Sequence, residues 1–167
     1  EEVLQIAAKE AFDFAPVEKL GKYSKNDTYI KKHIDLVVKY KYVDVKAIRN
    51  ANFKIAVDAV NSTGGIVIPH LLKALGVKKV VELYCEPTGK FPHNPEPLPE
   101  HLKKISSVVK AQKCHLGVVV DPDVDRLALI QEDGKPLGEE YTLVAVADYM
   151  LSRKKGNTVS NLSSTRA

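Results

Sequence analysis

Tryptophan is missing from this 167-residue chain, and phenylalanine and tyrosine together make up only 7% of it. That leaves no interleaved aromatic platform for stacking unpaired bases. Cysteine is scarce as well. Cys85 and Cys114 stand far apart, and neither belongs to a Cys-x-x-Cys pair. The reading is two reduced, partly buried thiols in a cytoplasmic protein rather than a disulfide scaffold. No apolar run approaches the length of a membrane span, and no signal peptide is visible, so no membrane partner is expected. Neither sign of charge dominates. The 25 basic and 21 acidic residues leave a formal net charge of +4, with both signs interspersed. An excess this small gives no reason to expect nucleic acid as a partner. Internal repeats and low-complexity tracts are absent too.

Hydrophobic residues make up 44% of the chain, enough for a core. Their spacing alternates between two periods. Val3, Leu4, Ile6, Ala7, Ala11 and Phe12 suggest a short amphipathic helix, and a polar linker with Pro16 and Gly21 follows. A second helix is expected from Tyr29, with Asp27 or Thr28 as N-cap. Phe53 to Val60 (FKIAVDAV) reads as a buried strand. NSTGG then makes a turn into a helix closed by Gly76, in which Pro69 is tolerable only near the first turn. KKVVELYCEP is a second strand. Prolines at 92, 95, 97 and 99 force an extended loop, and a helix runs on to about Gln112. HLGVVVD and LALIQE are strands, and GEEYTLVAVADYMLSRKKG is a helix with charges matched to its dipole.

The order β-α-β-α-β-β-α implies parallel strands joined by helical crossovers. The step from VVVD to LALIQE is too short for a crossover, so that pair is expected to be antiparallel. The expected fold is therefore α/β: a three-layer α/β/α unit with a mixed, mostly parallel sheet of about four strands. Both ends look cut. The chain starts without Met in what reads as mid-helix, and it stops just after a strand-like run.

The most informative stretch is GVVVDPDVDRLALI, Gly117 to Ile130. Asp121, Asp123 and Asp125 alternate where the third strand ends, and Arg126 follows at once. Packed like charges repel and raise one another's pKa. In open α/β sheets, ligands bind at the carboxyl ends of strands. Alternate residues of an extended run share a face, and a bend would bring the three carboxylates together. Three hard oxygen ligands without sulfur suit Mg²⁺ or a similar ion, and the arginine fork suits phosphate. The bland alternative is a solvated Asp-Pro-Asp turn. An EF-hand loop fits less well, because Arg126 occupies the position that needs glycine and the flanks read as strands. A haloacid-dehalogenase-type phosphatase would make Asp121 a nucleophile and Asp123 an acid/base. That motif, however, normally follows the first strand of its core and carries Thr or Val at the fifth position, where Asp125 stands.

DPDVDRLAL resembles the metal loop of the α-D-phosphohexomutases, the phosphoglucomutase/phosphomannomutase family. VDAVNSTGG, LYCEPTGKFPHNPEPLPEHL and HLGVVVDPDVDR occur in the order found in that family's second domain. The resemblance covers about 29–151. It implies a four-domain parent in which a phosphoserine of the first domain exchanges a phosphoryl group with a hexose phosphate. Asp121, Asp123 and Asp125 would then hold Mg²⁺, and Arg126 would contact the phosphoserine phosphate. The serine loop is absent from this chain, as are the sugar loop of the third domain and the phosphate loop of the fourth. No catalytic residue of that mechanism is therefore in the chain, and by itself it is expected to be inactive. Residues 1–28 would be the tail of a preceding domain plus linker, 29–156 the metal-loop domain, and 157–167 the truncated first strand of a following domain. Partners would be a glucose or mannose phosphate and the remaining domains of the parent. The alternatives are the phosphatase and a non-catalytic metal-binding module. The family often has Gly where Val124 stands.

Other motifs carry less. NSTGG lacks both a Gly-x-Gly-x-x-Gly pattern and a Walker lysine. Gly64 and Gly65 are better read as allowing close helix–sheet packing, with Asn61 or Ser62 capping the helix. His93 reads as structural or solvated, and His33, His70, His101 and His115 show no ligand spacing. Ser163, Ser164 and Arg166 follow the last strand-like run and have little support as site residues.

Overall fold

The computed structural model describes residues 1–160. Among these residues are six α-helices, α1 (Glu2–Ala8), α2 (Tyr29–Val38), α3 (Val45–Ala51), α4 (Gly64–Ala74), α5 (Lys103–Ala111) and α6 (Glu139–Arg153). The strands are β1 (Lys54–Asp58), β2 (Lys79–Leu83), β3 (Leu116–Val120) and β4 (Leu127–Ile130). They form one sheet in the order β2-β1-β3-β4. β1 runs parallel to β2 and β3, whereas β4 is antiparallel to β3. This is the mixed α/β sheet expected from the element order. Residues 161–167, including Ser163, Ser164, Arg166 and most of the expected final strand, lie outside the described residues.

Alternation along the strands builds a core on each face of the sheet. Ile55 and Val57 point to one side and pack with Leu72 and Val77, joined by Ile48 and Ile68. Ala56 and Val119 point to the other, where Leu102, Ile105, Val109 and Ile130 close the layer. The sheet thus lies between α3–α4 and α5. No described helix is long and apolar enough to cross a membrane.

Three local features depart from the sequence pattern. The first is α3, which the apolar spacing does not reveal. Its start and stop signals are nevertheless present: the Asp44 carboxylate accepts from the Ala47 N–H at 2.8 Å, and Asn52 ends the helix at φ 51°. The second is the start of α4, which comes at Gly64, so Pro69 sits beyond the first turn and forgoes the bond to the Gly65 carbonyl. The third is capping. Neither Asn61 nor Ser62 caps α4, and Thr28, at the N-cap of α2, makes no side-chain cap bond. Thr28 instead donates through N–H and Oγ1 to Asn26 Oδ1 at 2.9 and 2.7 Å.

The two thiols lie on opposite faces of the sheet, Cys114 buried and Cys85 half-buried. Burial, and then the charges of Glu82 and Asp58, push the Cys85 thiol up to about 11. At pH 8 roughly 0.1% of it is thiolate. Iodoacetamide labelling followed by peptide mass spectrometry should therefore find Cys85 almost inert at pH 8, with the rate rising about tenfold per pH unit up to pH 10. Labelling at the rate of an ordinary exposed thiol would refute this. The folded-state value lies above the unfolded one, so this contribution to stability is complete below the unfolded value. It is lost as pH rises through about 11.

Candidate metal centre

β3 carries an apolar run into the sheet centre and stops at Asp121, which is only 3% exposed. Pro122 cannot extend a ladder, and the chain turns there. The Val124 N–H donates to the Asp121 carbonyl at 3.2 Å, and the Arg126 N–H donates to Asp121 Oδ1 at 3.1 Å. Val124 takes φ 64°, a left-handed conformation that a β-branched residue rarely adopts. That residue supplies the bend. Carboxylate oxygens of Asp121, Asp123 and Asp125 all lie within 4.8 Å of one another. Asp121 forms the buried floor, while Asp123 and Asp125 face solvent.

A second loop holds this one in place. Ser62 Oγ and Thr63 Oγ1 both donate to the Pro122 carbonyl, at 2.8 and 2.7 Å. The hydroxyls that would ordinarily cap α4 are spent on the aspartate loop instead. The helix start is pressed against the same loop. A Cβ at Gly64 would fall 2.5 Å from Val120 Cγ2 and 3.6 Å from Val124 Cγ2.

The carboxylates are driven apart electrostatically. Burial alone would raise Asp121. The Arg126 amide, the Asp125 carboxyl and the guanidinium charge outweigh it and hold Asp121 below the usual carboxylate range. Asp125 moves the other way, raised by the hydrogen bond with Asp121 and then by the charges of Asp123 and Asp121. The triad thus resists carrying three negative charges by itself, which is the condition a cation relieves.

Arg126 leans over the group. Its Nε lies 3.4 Å from Asp121 Oδ2 and 3.8 Å from Asp125 Oδ1. Its Nη1 donates to Glu96 Oε1 at 2.6 Å. Sequence reasoning does not single out Glu96, which lies in the proline-rich loop 30 positions away. The one local signal is Asn-Pro-Glu, in which Asn94 Oδ1 accepts from the Glu96 N–H at 3.0 Å.

His93 is held inside the fold by two contacts. Its Nδ1 meets the Asn94 carbonyl at 2.8 Å and its Nε2 meets Asp58 Oδ2 at 3.0 Å. Asp58 is buried, and its Oδ1 also accepts from the Val60 N–H. The Asn94 carbonyl and the Asp58 carboxylate together engage both ring nitrogens, and the Asp58 contact pins the proline-rich loop to the end of β1. Among the described residues, no histidine joins the carboxylate cluster.

The class is therefore an α/β domain with a convergent carboxylate loop at the carboxyl end of its sheet, suited to a hard divalent cation. Comparison with known proteins gives the family. Residues 28–134 match the family described as phosphoglucomutase/phosphomannomutase, alpha/beta/alpha domain II. A phosphoglucomutase/phosphomannomutase of Thermococcus kodakarensis is 36% identical over 155 residues, covering 92% of this chain and 33% of the relative. A phosphomannomutase/phosphoglucomutase of Pseudomonas aeruginosa is 38% identical over 105 residues, covering 62% of this chain and 22% of the relative. The crystal structure of a family protein from Burkholderia thailandensis superposes with a TM-score of 0.71 at 27% identity, covering 90% of this chain and 31% of that one. The chain belongs to the phosphoglucomutase/phosphomannomutase family and carries its second domain. It spans a third or less of these relatives' length.

Proposed function

We propose that this chain is the metal-loop portion of a Mg²⁺-dependent phosphohexomutase that interconverts hexose 1- and 6-phosphates through a phosphoserine carried by another domain. The observation that carries the reading is the convergence of Asp121, Asp123 and Asp125 at a strand end beside Arg126, in a chain of this family. The donor set fits the ion: three carboxylates, no sulfur or imidazole, and two of the three open to solvent. Bound there, Mg²⁺ would neutralise charge on the migrating phosphoryl group.

The chain's own residues have separable tasks. Asp121, fixed by the Arg126 amide, sets the position of the loop. Asp123 and Asp125 supply the remaining charge. Arg126 offers a permanently charged fork to the phosphate. Ser62 and Thr63 keep the loop seated by holding the Pro122 carbonyl. The reading divides the chain into 1–28, 29–156 and 157–167; the first limit is supported by a buried core that begins at Ile34, and exposed apolar side chains lie on α1, the linker and α6. Those side chains, Leu4, Phe14, Leu143 and Val146 among them, are surfaces for the parent's other domains.

The test is a coupled assay on the full-length parent. Glucose 1-phosphate or mannose 1-phosphate should be converted to the 6-phosphate, EDTA should abolish turnover, and Mg²⁺ should restore it. The 167-residue chain alone should show none. An aspartyl phosphate trapped on Asp121 would favour the phosphatase reading instead, which the family match does not support.

A further inference from the structure

We infer that Glu96 is a positioning residue that holds the Nη1 end of Arg126 away from the carboxylates of the metal loop, so that the Nε edge borders them while the fork stays turned outward. The inference rests on the metal-loop reading above. Arg126 has three carboxylates within reach. Two belong to the triad, Asp121 at 3.4 Å and Asp125 at 3.8 Å, and both face the Nε edge. The third, Glu96, takes Nη1 at 2.6 Å. The shortest and best-formed contact therefore leads away from the cluster. Nη2 takes part in none of these contacts.

Glu96 is mounted to do this. Its N–H donates to Asn94 Oδ1 at 3.0 Å, and its carbonyl accepts from the Leu98 N–H at 2.8 Å. His101 Nδ1 lies 2.8 Å from the same carbonyl. Pro95 and Pro97 flank it and restrict the backbone on both sides. The loop is tied to the sheet by His93 and the buried Asp58. The carboxylate thus projects from a fixed backbone.

A guanidinium and a divalent cation compete for the same oxygens. With Glu96 gone, the nearest opposite charges to the freed Nη1 end are Asp121 and Asp125, which Nε already borders, and the whole fork swings onto them. The collapsed arginine neutralises the triad, weakens cation binding and turns its fork away from an incoming phosphate. The Arg126–Glu96 pair itself is about half exposed on both sides, so it adds little to stability. Its role lies in geometry and charge placement.

Mn²⁺ binding to the intact parent, followed by electron paramagnetic resonance of the free ion, separates the possibilities. Glu96→Ala should weaken Mn²⁺ binding about fivefold to tenfold at an unchanged melting temperature. Glu96→Gln, which loses the charge but keeps an acceptor for Nη1, should stay within about twofold of wild type. In an Arg126→Gln background, Glu96→Ala should have no further effect. Equal losses for the Ala and Gln variants would mean that long-range charge alone is at work, and would overturn the assignment. So would a Glu96→Ala effect that persists without Arg126, or no Glu96→Ala effect in a protein whose Mn²⁺ binding Asp123→Asn weakens. Unchanged Mn²⁺ binding by Asp123→Asn would bring down the metal-loop reading and this inference with it.

Discussion

Changing Asp123 to asparagine in the intact parent is expected to cut Mg²⁺-dependent turnover about 100-fold or more, with no loss of thermal stability. Asp123 is the informative position because it is exposed and makes none of the loop's structural bonds. Asp121 is not: it is buried and holds the Arg126 amide, so its substitution mixes ligand loss with loop collapse. Asparagine keeps the shape of Asp123 and removes one charge from a crowded cluster. Relief of repulsion, which contributes to raising Asp125, should leave the melting temperature equal or slightly higher. Excess Mg²⁺ should recover part of the rate, because affinity rather than the scaffold has been damaged. Full activity at ordinary Mg²⁺ would remove Asp123 from the metal site.

The second large effect is on the fold. Gly65→Val should destabilise the parent by about 3 kcal/mol or more and lower its melting temperature by roughly 10 °C. A Cβ at this position would lie 2.1 Å from the Cys85 carbonyl oxygen and 2.6 Å from its carbon. Those are backbone atoms two residues beyond β2, and they cannot rotate away as a side chain can. Gly64 is a milder case, since its closest obstacle is a Val120 methyl. Displacing the start of α4 also moves Ser62 and Thr63, whose hydroxyls hold Pro122. Cation affinity should therefore fall with stability, although residue 65 touches no ligand. Thermal unfolding together with Mn²⁺ titration tests both halves. A stable Gly65→Val protein with normal affinity would show that α4 tolerates a shift.

Sheet topology was legible because it follows from lengths. A link as short as Asp121–Arg126 cannot carry a crossover, and the structure has β4 antiparallel to β3. The triad was legible because three like charges at alternate positions are hard to explain as surface. The close packing at Gly64 and Gly65 was legible from the glycine pair before a helix. What escaped is tertiary. Ser62 resembles a helix cap in sequence, but the Pro122 carbonyl, some 60 residues away, takes its hydroxyl together with that of Thr63. Glu96 looks like one more charge in a proline-rich loop until the fold brings Arg126 to it. α3 is too short for its period to stand out, although Asp44 and Asn52 mark both its ends.

The aspartate loop closes directly into an antiparallel pair, with Val120 opposite Leu127. Side chains in β4 alternate between the buried layer and the outside, so one inserted or deleted residue in the loop exchanges the two sets. Ile130 would leave the core, and Gly117 would lose the neighbour that its missing side chain accommodates. Most surface loops drift in length over evolutionary time. This one is locked in length by the strand that follows it. Changes that keep this fold are therefore substitutions at fixed spacing, so the length of the Asp-x-Asp-x-Asp-Arg interval is constrained by the sheet as well as by any ion that its carboxylates hold.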